Sequence, residues 1–352
     1  MKKSLFIFVA IVVAFMLIFT ACSENAATPS SDTEATSETS NETSVKTDAS
    51  YDIKLGCIQP GPEYYYQTLF DRITAGAESV GIEVVTYLSE YSAEKELSNI
   101  EDLCSQGVDA IMMFAVSGDS GLVAAEKCEE KNMPLFLVDA SANAGDAKPI
   151  CCIKKDFYES GYCNGEWLAE NYDGEMKILE ITSTLGANIA EPTSEGFADA
   201  LASRSDATIV YQAAADWDRS KAMSITEDAI SSGLDFNLVF VHNEDMAVGV
   251  ISALKAADKL GTDVQVVAQN GSPEGLDMIR NGELLSTCAT NPATQAGYSL
   301  QMLLKYFDGE EVPEVFDNPV YMFDAGNVDD PNLATWDEEW TLKLVQEYLD
   351  TK

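Results

Sequence analysis

His242-Asn243-Glu244-Asp245 closes one apolar run, Leu238-Val239-Phe240-Val241, and opens a second, Met246-Ala247-Val248. An amide at such a junction can both donate and accept hydrogen bonds. Glu244 and Asp245 suit the positive end of a following helix. Asn243 therefore has two readings that the stretch leaves open: an amide offered to a ligand, or the cap of the next helix. Related residue types return at comparable strand ends, namely Tyr64, Tyr65 and Tyr66, then Asp139, Trp217 and Asn270. Aromatic faces offer stacking surface, while amides and a carboxylate pair with hydroxyls. Together they have the composition of a pocket for a carbohydrate or a nucleoside.

Catalytic equipment is harder to find. The chain holds a single histidine, His242, which removes Ser-His and Cys-His arrangements elsewhere. His242 itself reads as a structural or ligand-contacting residue rather than a general base. No G-x-S-x-G elbow, Walker loop, EF-hand loop or strand-borne G-x-G-x-x-G occurs. The cysteines form no C-x-x-C, and a zinc site would need thiolates at irregular spacing. We expect a protein that is not an enzyme, with no metal and no cofactor.

The elements that must position these residues alternate regularly. Strand patterns at 53–58, 82–87, 110–114 and 135–138 enclose helix patterns at 65–81, 93–106 and 122–131, which calls for a parallel sheet covered on both faces. The alternation then restarts, with strands at 150–153, 176–181, 208–212, 238–241, 264–268 and 285–289. A segment at 310–322 and a helix within 337–349 are left over at the end. A chain of 352 residues suits two such domains, and the leftover elements suggest that it crosses between them more than once. A cleft between lobes is a preferred ligand site. With 59 acidic against 21 basic residues the formal charge is −38, which repels nucleic acid and anionic membrane surfaces.

Residues 1–21 read as an export signal, with Lys2 and Lys3 ahead of an apolar run. Phe19-Thr20-Ala21-Cys22 resembles the bacterial lipobox, with Phe19 in place of the usual Leu, and implies lipidation of Cys22. Residues 22–50 are nearly all Ser, Thr, Glu, Ala, Asn and Asp, the composition of a solvated tether. The expected location is extracytoplasmic, with membrane attachment through the lipid alone. The seven cysteines that remain cannot all pair within one chain; most read as buried thiols, with one disulfide left open.

Taken in order, the motifs resemble the ribose/galactose type of periplasmic sugar-binding proteins, the solute-binding components of ABC importers. Gly107-Val108-Asp109-Ala110-Ile111 resembles the family's GVDAI, and Met133-Pro134-Leu135-Phe136-Leu137-Val138-Asp139 its IPVVxxD. Asp216-Trp217-Asp218-Arg219 and His242-Asn243-Glu244-Asp245-Met246-Ala247-Val248-Gly249 are similar to its D-[FW]-x-[RS] and xNDxMAxG. The resemblance implies α/β architecture: two Rossmann-like lobes with parallel sheets and a multi-crossover hinge, the type I periplasmic binding protein fold. It places the ligand on Tyr65 and Tyr66, with Tyr64 adjacent, and on Asp139, Trp217 and Asn243. Asn270 stands where the family has Asp, and Thr290 where it has Gln. The family's Arg is missing from Glu191-Pro192-Thr193-Ser194-Glu195-Gly196-Phe197, and Ala140 follows Asp139 where sugar binders often place Arg. The pocket is thus less charged and more amide-rich than the family pattern.

The expected partners are a sugar or sugar-like ligand and an ABC permease, and the expected state is a monomer. One lobe would comprise 51–154 plus 292–320, and the other 155–291 plus 321–352. Crossings near 154–156, 290–292 and 318–324 would form the hinge. Two alternatives share these residues: a lipoprotein of the same fold that presents ligand to a membrane sensor, and a surface glycoside hydrolase.

Overall fold

The computed structural model describes residues 50–138, 146–186 and 189–352. The signal, Cys22, nearly all of the tether and Asp139 lie outside the described residues. The strands form two six-stranded sheets. The first has the order β2 (Glu83–Leu88), β1 (Lys54–Gln59), β3 (Ala110–Met113), β4 (Leu135–Val138), β5 (Cys151–Lys155) and β11 (Val315–Asn318), all parallel. The second runs β7 (Ala207–Ala214), β6 (Met176–Thr182), β8 (Leu238–Val241), β9 (Gln265–Gln269), β10 (Ser286–Thr290) and β12 (Val320–Asp324), with β12 antiparallel to β10.

Strand composition explains strand position. β3, β4 and β8 are short, apolar and buried at every residue, as strands covered on both faces must be. β2 and β7 contain no buried residue and lie at sheet edges, where one side faces solvent. Helices α1 (Tyr64–Glu78), α2 (Ala93–Ser105) and α3 (Gly118–Glu130) cover the first sheet's strands. Helices α4 (Phe157–Asn171), α5 (Ala190–Leu201), α6 (Arg219–Ser231), α7 (Glu244–Ala256) and α8 (Pro273–Arg280) accompany the second.

The chain changes sheets after Lys155, then again between β10 and α9 (Pro292–Phe307), which packs against α1. β11 and β12, separated by a single residue, belong to different sheets. The closing helix α10 (Glu338–Leu349) corrects the expectation that 321–352 stays with the second lobe, because it packs on α1 and α9 instead. Two glycines make the seat for it. A Cβ on Gly297 would stand 2.7 Å from Leu344, and one on Gly76 would stand 2.9 Å from Thr341. Thr341 Oγ1 donates to Ala293 O at 2.8 Å, and Val345 and Tyr348 join the core that holds Ile73 and Leu300. Cys57, Cys104, Cys128, Cys151, Cys152, Cys163 and Cys288 are all free thiols, five of them buried.

The second lobe depends on a similar close approach between α4 and α5. A Cβ on Gly161 would lie 2.0 Å from Thr193 O, and one on Gly196 would lie 2.1 Å from Tyr158 O. Backbone atoms cannot yield as a flexible side chain can. We therefore expect Gly196→Ala to cost about 1–3 kcal/mol of stability through overpacking, measured by urea unfolding; an unchanged midpoint would contradict this helix contact.

Candidate functional site

In open parallel sheets, ligands bind beyond the carboxyl ends of the strands, and the sequence candidates within the described residues lie at such ends. Tyr64, Tyr65 and Tyr66 open α1, five to seven residues past β1, while Trp217, Asn243 and Asn270 follow β7, β8 and β9. Thr290 ends β10; it is fully buried, and its Oγ1 has no hydrogen-bond partner among the described residues.

The tyrosines divide the work on the first side. Tyr66 packs edge-on against Phe114, with centroids 4.7 Å apart, and is half-buried. Tyr65 lies at right angles to Tyr66 at 5.9 Å and donates its hydroxyl to Gln295 Oε1 at 2.8 Å. Tyr64 is exposed, and its ring meets Trp336 at 5.5 Å with a 30° tilt. Such ring contacts each add about 0.5–1.5 kcal/mol beyond area burial, so the cluster is a fixed platform.

Asn270 is where the two sheets meet. Its backbone has φ +109°, and Gly271 follows at φ +65°. A Cβ on Gly271 would fall 2.4 Å from Ala289 Cβ, so the turn needs glycine there. Asn270 N donates to Cys288 O at 3.0 Å, while Asn270 O accepts from Trp336 Nε1 at 3.0 Å. Its Oδ1 accepts from Lys155 Nζ at 2.9 Å. Lys155 ends β5 in the first sheet, and its ammonium lies 5.7 Å from the Tyr65 ring centroid and 5.3 Å from that of Phe157. Tyr65 and Asn270 are thus brought together across the two sheets.

Asn243 caps α7, its Oδ1 accepting from Met246 N at 2.8 Å. Capping engages only the oxygen of the amide, so it is compatible with a second role for the nitrogen. Its neighbour Glu244 is buried and ties adjacent loops. Glu244 Oε1 accepts from Gly271 N at 2.6 Å and from Thr287 Oγ1 at 2.5 Å. Burial pushes its carboxyl up to about 7 despite these hydrogen bonds. Trp217 is exposed, and it and Asp216 both adopt left-handed backbone, at φ +64° and +53°. Arg219 pairs with Asp245 at 2.6 Å and Glu274 at 3.3 Å, which links the first turns of α6, α7 and α8.

His242 is occupied inside the lobe. It is buried, with Nε2 3.1 Å from Glu180 Oε1 and Nδ1 3.5 Å from Ser183 Oγ. Burial alone would raise the Glu180 carboxyl, but His242, Ser194 and Gln212 together hold it below its ordinary value. This is a satisfied internal network, which favours the structural reading of the histidine.

Three residues of this geometry carry no local signal for a site in the sequence. Lys155 lies in an expected crossing, where the pattern assigns no side chain a role. Glu244, taken from its own stretch, is only a carboxylate at a helix start. Trp336 lies outside any repeated pattern, and only tertiary packing brings it to Tyr64 and Asn270.

Residues 58–311 match the family model described as a periplasmic binding protein domain. The chain belongs to that family. As a periplasmic binding protein it is a member of a family of binding proteins, which sets aside the glycoside hydrolase alternative. Its relatives include the ribose import binding protein of Salmonella typhimurium, 27% identical over 248 residues, covering 70% of this chain and 82% of the relative. The galactofuranose-binding protein of Escherichia coli is 27% identical over 269 residues, covering 74% and 84%. A Mycobacterium smegmatis protein in complex with β-D-fucofuranose superposes with a TM-score of 0.73 at 26% identity, covering 84% of this chain and 98% of that one.

The raised Glu244 carboxyl has a definite sign in stability. Its ordinary value is 4.5 and its folded value about 7, so between these the folded chain keeps a proton that the unfolded chain has lost. Its contribution to stability is therefore full below the lower value and declines as pH rises through the window. Glu244→Gln keeps an acceptor oxygen and removes the titration. Its melting temperature relative to the parent should rise between about pH 5 and 7, the total effect being on the order of a few kcal/mol. A pH-independent difference would show that Glu244 does not titrate in this range.

Proposed function

We propose that the chain is the solute-binding lipoprotein of an ABC importer, and that it binds a sugar or sugar-like molecule between its two sheets. The observation that carries this reading is the meeting of the tyrosine platform with Asn270 across the sheets. An apolar ring face and a set of amides suit a ligand with apolar C–H faces and hydroxyls around its edge. The relatives named for ribose and galactofuranose, and the neighbour holding fucofuranose, make pentoses and furanoses the first compounds to test.

Asp139, Asn243, Asn270 and Thr290 are proposed to pair with hydroxyls, and Trp217 to cover the ligand from the second sheet. Consecutive left-handed residues at Asp216 and Trp217 cost roughly 1–2 kcal/mol each; strain held at such a turn is consistent with a placed ligand-facing ring. The missing arginines leave discrimination to hydrogen bonds that a wrong ligand would leave unpaired. The protein is proposed to act as a monomer, anchored by acylated Cys22 on the 22–50 tether, and to release its ligand to the permease by hinge opening.

A thermal-shift screen over pentoses, furanosides, polyols and nucleosides should give one class that raises the melting temperature, since a ligand of the folded form alone stabilises it. With that compound, calorimetry on Trp217→Ala should show a loss of ~1–3 kcal/mol, by analogy with base–aromatic stacking. Unchanged affinity would remove Trp217 from the site. In cells, Cys22→Ser should move the protein from the membrane to the soluble fraction; continued membrane recovery would contradict the anchor.

A further inference from the structure

Trp336 lies in the segment between β12 and α10, beyond the region 58–311 that matches the family model. It is only 4% exposed. On the first side its ring stands 5.5 Å from both Tyr64 and Tyr65, tilted by 30° to one and 82° to the other. Arg72 Nε in α1 donates to its carbonyl at 3.1 Å, and Arg72 Nη1 reaches Glu338 at 3.3 Å. Asn291 Nδ2 donates to the carbonyl of its neighbour Thr335 at 2.5 Å. These contacts, with α10 seated behind them, fix the indole to the first side.

Its one polar atom points the other way. An indole N–H can only donate, and here it donates to Asn270 O at 3.0 Å. The acceptor is the peptide of the residue held at φ +109°. Asn270 N is already held by Cys288 O, so the two polar atoms of its backbone are fixed by different bodies. β10 fixes the N–H from within the second sheet, and Trp336 fixes the carbonyl from outside it. The direction of the Asn270 side chain, which is bonded to Lys155 Nζ, follows from that backbone.

We propose that Trp336 is a positioning residue of the ligand site: through its bond to Asn270 O it holds the Asn270 turn against the tyrosine platform. This rests on the reading that the cleft holds a ligand. The aim of the Asn270 amide, and with it ligand retention, would then depend on the C-terminal segment. The chemistry favoured is a ligand whose hydroxyl pairs with the Asn270 amide while its ring face lies over Tyr64 and Tyr65.

Trp336→Phe keeps an aromatic ring and removes the donor. In the ligand-free chain, hydrogen exchange read by mass spectrometry should become several-fold faster in peptides covering 268–271, while peptides covering 338–349 keep their protection. Unchanged exchange at 268–271 overturns the proposal. Equal acceleration in both regions also overturns it, since Trp336 would then be a packing residue for α10. With D-ribose as the probe, stopped-flow kinetics should give a dissociation rate raised roughly three- to tenfold, the effect of one lost hydrogen bond, with association unchanged. If both rates match the parent, the proposal fails. If the parent itself does not bind D-ribose, that result counts against ribose as the ligand, and the exchange measurement still decides the role of Trp336.

Discussion

Lys155 Nζ and Trp336 Nε1 approach Asn270 from the first-sheet side and donate to two different oxygens of it. Without this convergence the tyrosines and the amide would lie on separate sheets with nothing to relate them. The Trp336 bond contributes about 0.5–1.5 kcal/mol net and the charged Lys155 bond about 1.5–3 kcal/mol. The cores on either side, built from residues such as Leu55, Phe136 and Leu300 in one and Val239, Val250 and Val266 in the other, bury far more. The contact across the sheets is thus weak beside the lobes it joins. That inequality suits a clamp, because a ligand can shift the balance between open and closed only if the protein's own preference is small.

The second sheet uses buried polar chemistry to hold the elements at its carboxyl end in register. Glu244 brings a carboxylate oxygen to both Gly271 N and Thr287 Oγ1, so the loop after β9 is referred to β10 and to the start of α7 at once. Gly271 allows the positive φ and the close approach to Ala289 that the turn requires. The His242–Glu180 network performs the same service deeper in the lobe, between β6 and the end of β8. Exposed pairs such as Arg219 with Asp245 add little energy but keep neighbouring loops in contact.

Much of the architecture was legible because it follows from local rules. Leu238-Val239-Phe240-Val241 is apolar at every position, so it had to be a strand covered on both faces, and it is central. Asn243 was legible as a cap because its side chain acts three residues away. Other features depend on residues far apart in sequence. α10 carries an ordinary amphipathic pattern, and the notch at Gly76 and Gly297, with the Thr341 bond to Ala293 O, places it on α1 and α9. Lys155, Glu244 and Trp336 gain their roles from partners 115, 27 and 66 positions away, which no periodicity encodes. Family resemblance supplied Thr290, whose buried hydroxyl nothing in its own stretch singles out.

The carboxyl ends of both sheets are proposed to enclose one ligand between the tyrosine platform and the Asn270 amide. A crystal structure grown with the sugar that stabilises the protein most would test it directly. Ligand density is expected with a ring face against Tyr64 or Tyr65 and a hydroxyl within hydrogen-bond distance of the Asn270 side chain. Density bound elsewhere, with these side chains on separate solvent-facing surfaces, would contradict it.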